Sequence, residues 1–152
     1  MSQMHSGDFD LVTAFHEEVG AALLQVGFRR EDRPGWRQGG YYHPTLPIGV
    51  EFVSGLYFDG RADRQRIRLV DVGAGDVPMA ATEDMIADRL GQWVAGDRRD
   101  PELRAQAHLL YALAEAPDDA YLNRRIREET AGELDLSDLK SSDDETHHPG
   151  GA

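Results

Sequence analysis

Ser6-Gly7-Asp8-Phe9-Asp10-Leu11-Val12-Thr13 is a short run in which acidic and apolar residues alternate. A period of two marks a strand with one face on a core and the other face open. In such a strand Asp8 and Asp10 share a face about 6–7 Å apart, and Phe9 and Leu11 share the other. A helical pattern follows directly, with Phe15, Val19, Leu23, Leu24 and Val26 recurring at three-to-four-residue spacing. Gly27 ends it, as a glycine just past the last turn commonly does. Strand then helix sets the expectation of an α/β fold (α+β in detail), in which further strands join the first.

Those strands are expected at Tyr41-Tyr42-His43, at Ile48 to Val53 after Pro44 and Pro47, and at Arg66 to Val72 before the Gly73-Ala74-Gly75-Asp76 turn. Together with the Asp8 segment they would make a small mixed sheet. Arg29 to Gly40 is polar and broken by Pro34-Gly35 and Gly39-Gly40, and Ser54 to Gln65 reads as a mobile loop. The second half predicts a helical layer. Thr82 is the expected N-cap of a helix with Glu83 and Asp84 in its first turn and Ile86, Leu90, Trp93 and Val94 as its stripe. Asp100-Pro101-Glu102 starts the next, carrying Leu103, Ala107, Leu110 and Ala114 on one face and stopping before Pro117. A last helix runs from about Asp119 to Ala131 with Tyr121, Leu122 and Ile126 inward. From there the composition turns to Asp, Ser, Glu, His and Gly, so a folded domain over 1–132 and a disordered acidic tail over 133–152 are expected.

The 152 residues carry a net charge of −12, and six of the acids fall between Glu133 and Glu145 against Lys140 alone. A negative surface repels phosphate, which argues against general DNA binding. No apolar run reaches the ~20 residues of a spanning helix and no leader opens the chain, so no membrane association is expected and the cytoplasm is the simplest location. With no cysteine, thiolate metal sites and thiol nucleophiles are excluded.

The constellation that can carry chemistry is Asp8-x-Asp10 with Glu51, an acid that interrupts the apolar strand Ile48-Gly49-Val50-Glu51-Phe52. Carboxylates converging from neighbouring strands supply the hard oxygen donors that Mg²⁺ or Mn²⁺ takes. Two such ions about 3.5–4 Å apart can align a hydroxyl with a nucleotide α-phosphate and stabilise the leaving pyrophosphate. The same acids, taken singly, are what a solvated strand face displays. Among the histidines, His43 before Pro44 is expected to pack or hydrogen-bond at a strand end. His16 and His108 show no paired ligand spacing with each other, and His147-His148 read as part of a solvated, flexible end.

Ser6-Gly7-Asp8-Phe9-Asp10-Leu11-Val12 resembles the "T-x-D-I-D-L" strand of the nucleotidyltransferase-like superfamily, and Gly27-Phe28 matches its "L-G-F" helix ending. Gly40-Tyr41-Tyr42-His43, Ile48-Gly49-Val50-Glu51-Phe52, Thr82-Glu83-Asp84-Met85-Ile86-Ala87-Asp88-Arg89-Leu90 and Gly96-Asp97-Arg98-Arg99-Asp100 follow in the order seen in small bacterial relatives, a group that includes AbiEii-type antitoxins. The resemblance covers about Asp8 to Leu113. It implies Asp8, Asp10 and Glu51 as catalytic metal ligands for Mg²⁺ or Mn²⁺, Arg89 as the contact to the triphosphate, an NTP as substrate, and a protein or RNA hydroxyl as acceptor. Active relatives carry a Gly-Gly or Gly-Ser turn ahead of the paired aspartates, which cradles the triphosphate. Only Met1 to Gly7 precede Asp8 here, so a truncated version of the fold is expected. Its alternative to transferase activity is a non-catalytic interaction module, antitoxin-like or regulatory, that binds a toxin-like partner.

Overall fold

A computed structural model describes residues 8–31, 40–53 and 56–141. The chain divides into two compact units, Met1–Asp59 and Gly60–Ala152. The α/β class expected from the sequence is what is found: a four-stranded mixed sheet, a two-stranded sheet and five helices. No helix among the described residues is long and apolar enough to cross a membrane.

The first unit contains β1 (Asp8–Leu11), α1 (His16–Gln25), β2 (Arg29–Glu31), β3 (Gly40–Tyr42) and β4 (Gly49–Phe52). The sheet order is β1-β4-β3-β2, with β1 parallel to β4 and the other pairs antiparallel. The Asp8 strand is therefore an edge. Alternation sends Val50 and Phe52 to one face, where both are buried. There the Phe52 ring meets His16 of α1 at 5.0 Å and Tyr41 edge-on at 5.6 Å. α1 ends as the sequence predicts. The Phe28 amide donates to the Leu23 carbonyl and the Gly27 amide to that of Leu24, with Gly27 in the left-handed region at φ 99°. Its apolar stripe is narrower than the spacing suggested, because Phe15, Leu24 and Val26 are exposed. β2 was not expected. Arg29 to Glu31 are polar, but they lie on the sheet's far edge, where a strand need bury little.

Two short 3-10 turns, Tyr57–Gly60 at the end of the first unit and Arg64–Arg66 within the second, fall in the stretch expected to be a mobile loop. β5 (Arg68–Asp71) does not join the main sheet as expected. It pairs with β6 (Asp76–Met79) in a separate hairpin turned by Val72 to Gly75. Its alternating pattern serves no core: Leu69 is 70% exposed and every residue of β6 is exposed.

The helical layer is α2 (Thr82–Ala95), α3 (Pro101–Leu113), α4 (Asp119–Glu129) and α5 (Leu136–Lys140). The N-cap of α2 is Ala81, one residue before the expected Thr82, and no side chain caps it. Asp100 and Asp118 do cap α3 and α4, accepting from the amides of Glu102 and Tyr121 at 3.0 Å. Ile86, Ala87 and Leu90 of α2 pack with Ala107 of α3, Leu122 and Ile126 of α4, and Leu139 of α5. Burying each Leu or Ile contributes about 1.5–3 kcal/mol. Gly91 lets α2 approach the end of α4, since a β-carbon there would lie 3.0 Å from the Glu129 carbonyl oxygen.

The expected disordered tail over 133–152 starts too early. Leu136–Lys140 form α5, with Asp135 accepting from the Ser137 amide at 2.8 Å and Asp138 accepting from the Asp135 amide at 2.8 Å. Thr130 takes the Leu134 amide at 3.2 Å, and Leu139 is only 2% exposed. Two leucines spaced to face the bundle outweigh the acidic composition that suggested disorder. Residues 142–152, His147-His148 among them, lie outside the described residues.

Candidate functional site

The parallel register of β1 on β4 sets Asp10 directly beside Glu51, and Asp8 beside Gly49. Neighbours in register point to the same face, and adjacent strands lie about 4.8 Å apart. Asp10 and Glu51 therefore stand side by side on the face opposite Val50 and Phe52, Asp10 exposed and Glu51 half-buried. The Asp8 side chain lies outside the described residues, so its place in the trio is given by the backbone alone.

The row continues across the sheet. Gly40 is the partner of Glu51 on β3, and Glu31 is the partner of Gly40 on β2. A β-carbon at Gly40 would lie 3.7 Å from both the Glu31 carboxylate and the Glu51 side chain. Asp10, Glu51 and Glu31 thus form one line with a glycine gap before the last. Sequence reasoning missed Glu31 because it falls in the stretch read as turns. The usable signal was the length of the stretch between Gly27 and Tyr41, which leaves room for one more strand.

Two adjacent carboxylates suit Mg²⁺, which is commonly held by one or two acids and otherwise keeps waters or substrate phosphates. Among the described residues no group of three or more His, Cys, Asp or Glu side chains is placed to hold a metal ion. Asp10 and Glu51 as a pair are thus the donors that remain for such an ion. No family model matches the chain, and no curated protein or solved structure matches it at a significant level.

Arg89 lies in the second unit, on α2. Its side chain is about one-third exposed, and its guanidinium donates to the Gln92 side chain at 3.0 Å and stands 3.8 Å from Asp88. Gln92 in turn donates to Asp88 at 2.8 Å. Asp88 thus serves a local ion pair on the same helix.

The largest assembly of charges in the second unit was also missed. Asp84, taken from the sequence as an acid favoured by the helix N-terminus, is fully buried against Arg125, itself fully buried. Arg125 Nε donates to Asp84 Oδ1 at 2.8 Å, and its other nitrogens reach Glu128 at 2.7 Å and Glu129 at 2.5 Å. Tyr121 donates its hydroxyl proton to Asp84 at 2.8 Å and accepts from the Asp63 amide at 3.1 Å. Arg61 bridges to Glu129 at 3.1 Å. Burial opposes the charge on Arg125, but Asp84, Glu128 and Glu129 together raise its pKa above the ordinary value. Glu83 completes the junction by accepting the Asp118 amide at 3.0 Å, while Asp118 pairs with Arg66 at 2.7 Å. The donors and acceptors of Arg125 meet within the helical bundle, so the assembly ties α2 to α4 and offers a ligand nothing.

Proposed function

We propose that the chain is a nucleotidyltransferase-like protein whose first unit binds a divalent cation, Mg²⁺ or Mn²⁺, through Asp10 and Glu51 with Asp8, for work on an NTP. The observation that supports this most is the register of β1 on β4. Residues from distant parts of the chain, expected from the resemblance to act together, are neighbours in register on one face of the sheet. The cation, when bound, would supply Lewis-acid stabilisation of phosphate charge. Asp10 and Glu51 would hold it, and the β1–β4 pairing would fix their separation before any ligand arrives. Arg89 enters the proposal only through the resemblance, as a contact to the triphosphate. The acceptor would be a protein or RNA hydroxyl.

A second reading, a non-catalytic partner-binding module of antitoxin-like type, is favoured by one observation: the Arg89 guanidinium is engaged on its own helix by Gln92 and Asp88.

Thermal melts with and without Mn²⁺ test the cation site. A ligand present at about 100 times its dissociation constant stabilises by about 2.7 kcal/mol, a rise of several degrees for a domain of this size. Asp10→Asn is expected to abolish the shift. Absence of any shift in the wild type removes the cation site. Labelled NTP incubated with the protein and a cell lysate then separates the two readings. Label transferred by the wild type and not by Asp10→Asn supports the transferase, and no transfer despite cation binding supports the partner-binding module.

A further inference from the structure

β5 and β6 make a sheet of only two strands, an arrangement that is marginal in water until further strands join it. The Val72 amide donates to the Gly75 carbonyl at 3.0 Å, which fixes the direction of the main-chain groups along the hairpin. Direction alternates along an antiparallel ladder, so Arg68, Val70 and Val72 turn theirs toward β6, and Leu69 and Asp71 turn theirs outward. On β6 the outward residues are Asp76 and Pro78, and Pro78 has no amide. The outer edge of β5 is bounded on both sides. The Ile67 amide donates to the Arg64 carbonyl at 3.3 Å, and the Gly73 amide donates to the Asp71 side chain at 2.7 Å. Between them lies the window Leu69-Val70-Asp71, with an outward amide and carbonyl at each end and the exposed Leu69 and Val72 side chains beside it. Among the described residues no strand pairs with this edge.

We propose that this edge is a dimerisation surface whose occupant is β5 of a second copy of the chain, lying antiparallel about a two-fold axis through Val70. Leu69 then stands opposite Asp71 of the second copy, and such a pair exchanges both of its N–H···O bonds. The axis repeats the exchange on its other side, so every outward group of the window finds a partner. The neighbouring registers fail. Leu69 opposite its own copy brings Asp71 against Ile67, whose amide is already taken by Arg64. Asp71 opposite its own copy sets Asp71, Asp76 and their counterparts in one row of like charge. In the register through Val70, Asp71 meets a leucine instead. On the other face the Val77-Val70 pair continues directly into Val70 and Val77 of the second copy. Within residues 68–79 one arginine stands against two aspartates, a net of −1 in a chain of −12, so little of the repulsion between copies arises where they meet. Two edges this short cover less than about 1,200 Å², the lower end for a stable interface, so the dimer is weak. It is also closed, because pairing consumes both β5 edges and Pro78 guards the β6 edges that remain. The pairing needs no cation at Asp10 and Glu51.

Sedimentation equilibrium of the full chain at neutral pH and about 0.15 M salt, from about 10 μM to 1 mM protein, tests it. The average mass should rise toward that of two copies and go no further. Val72→Glu and Val72→Lys lose the same valine and move the net charge in opposite directions. The pairing places residue 72 opposite Arg68 of the second copy, twice per dimer. Val72→Glu should therefore dimerise at least about fivefold more tightly than Val72→Lys. Net charge acting alone gives the reverse order, since Val72→Glu is the more negative of the two. Hydrogen exchange supplies a second reading: the Leu69 and Asp71 amides should gain protection as protein concentration rises, and the Asp76 amide should not. A monomer throughout the range, growth past the dimer, protection at Asp76 equal to that at Leu69 and Asp71, or Val72→Lys pairing as tightly as Val72→Glu overturns the proposal.

Discussion

Arg125 carries its charge where no water reaches, and three carboxylates make that possible. Removing the arginine takes from the buried Asp84 its charged partner. Breaking one side of a buried ion pair typically costs ~3–5 kcal/mol. Arg125→Met is therefore expected to lower stability by about that amount in urea denaturation, while Arg124→Met, at an exposed i,i+4 pair with Glu128, should cost less than about 0.5 kcal/mol. Equal costs would show that the burial of Arg125 is unimportant. Asp135 is the second informative residue. The Ser137 hydroxyl, then the Ser137 amide and Arg127, hold its pKa down to about 2, below the ordinary 3.8. A carboxylate with a lowered folded pKa stabilises above its unfolded value and loses that contribution as pH falls through the folded one. The start of α5 should thus hold at pH above about 4 and loosen between about pH 4 and pH 2. The Ser137 amide shift, followed by NMR, should titrate with its midpoint near the lower end. In Asp135→Asn that titration should vanish.

Helix ends and helix faces were unequally legible. Gly27 after α1 and the Asp-Pro start of α3 were readable, because capping chemistry is local, while α4 was placed from about Asp119 without its cap, Asp118. α4 ends differently. Ala131, at φ 52°, occupies the left-handed position usually given to glycine, and the Gly132 amide donates to the Arg127 carbonyl at 2.8 Å. Ala131→Gly should relieve this strain and stabilise by about 0.5–1 kcal/mol in denaturant, and Ala131→Val should destabilise. α5 was lost to composition. Acids dominate 133–145, yet Asp135-Leu136-Ser137-Asp138 is itself a reciprocal cap, and Leu139 follows at core spacing. Leu139→Ala is expected to cost ~2–3 kcal/mol, which a truly disordered segment would not show. At the candidate site, Asp10 and Glu51 were readable as acids on strands, but their adjacency required a register that no local pattern contains. Glu31 was hidden because an edge strand need not alternate. The partnership of Asp84 and Arg125 was hidden because it spans two helices.

The charge of the whole chain bears on its least protected element. The β5–β6 hairpin displays Leu69, Val72, Val77 and Met79, none of them inside a core. Exposed apolar strands are templates for association. Two local features restrain it: Pro78 removes an amide from β6, and Asp71 faces Asp76 across the strands as a like-charged pair. The larger restraint is the net charge of −12, since molecules of the same sign repel one another in solution. That restraint disappears as the carboxylates protonate, with zero net charge near pH 4.8. Light scattering should therefore rise as pH approaches this value and fall again when the negative charge is restored at higher pH. The pair Leu69→Lys with Val77→Glu leaves net charge unchanged and removes two of the exposed apolar groups. Scattering from that variant near pH 4.8 should fall well below that of the wild type; equal scattering would place the sticky surface elsewhere.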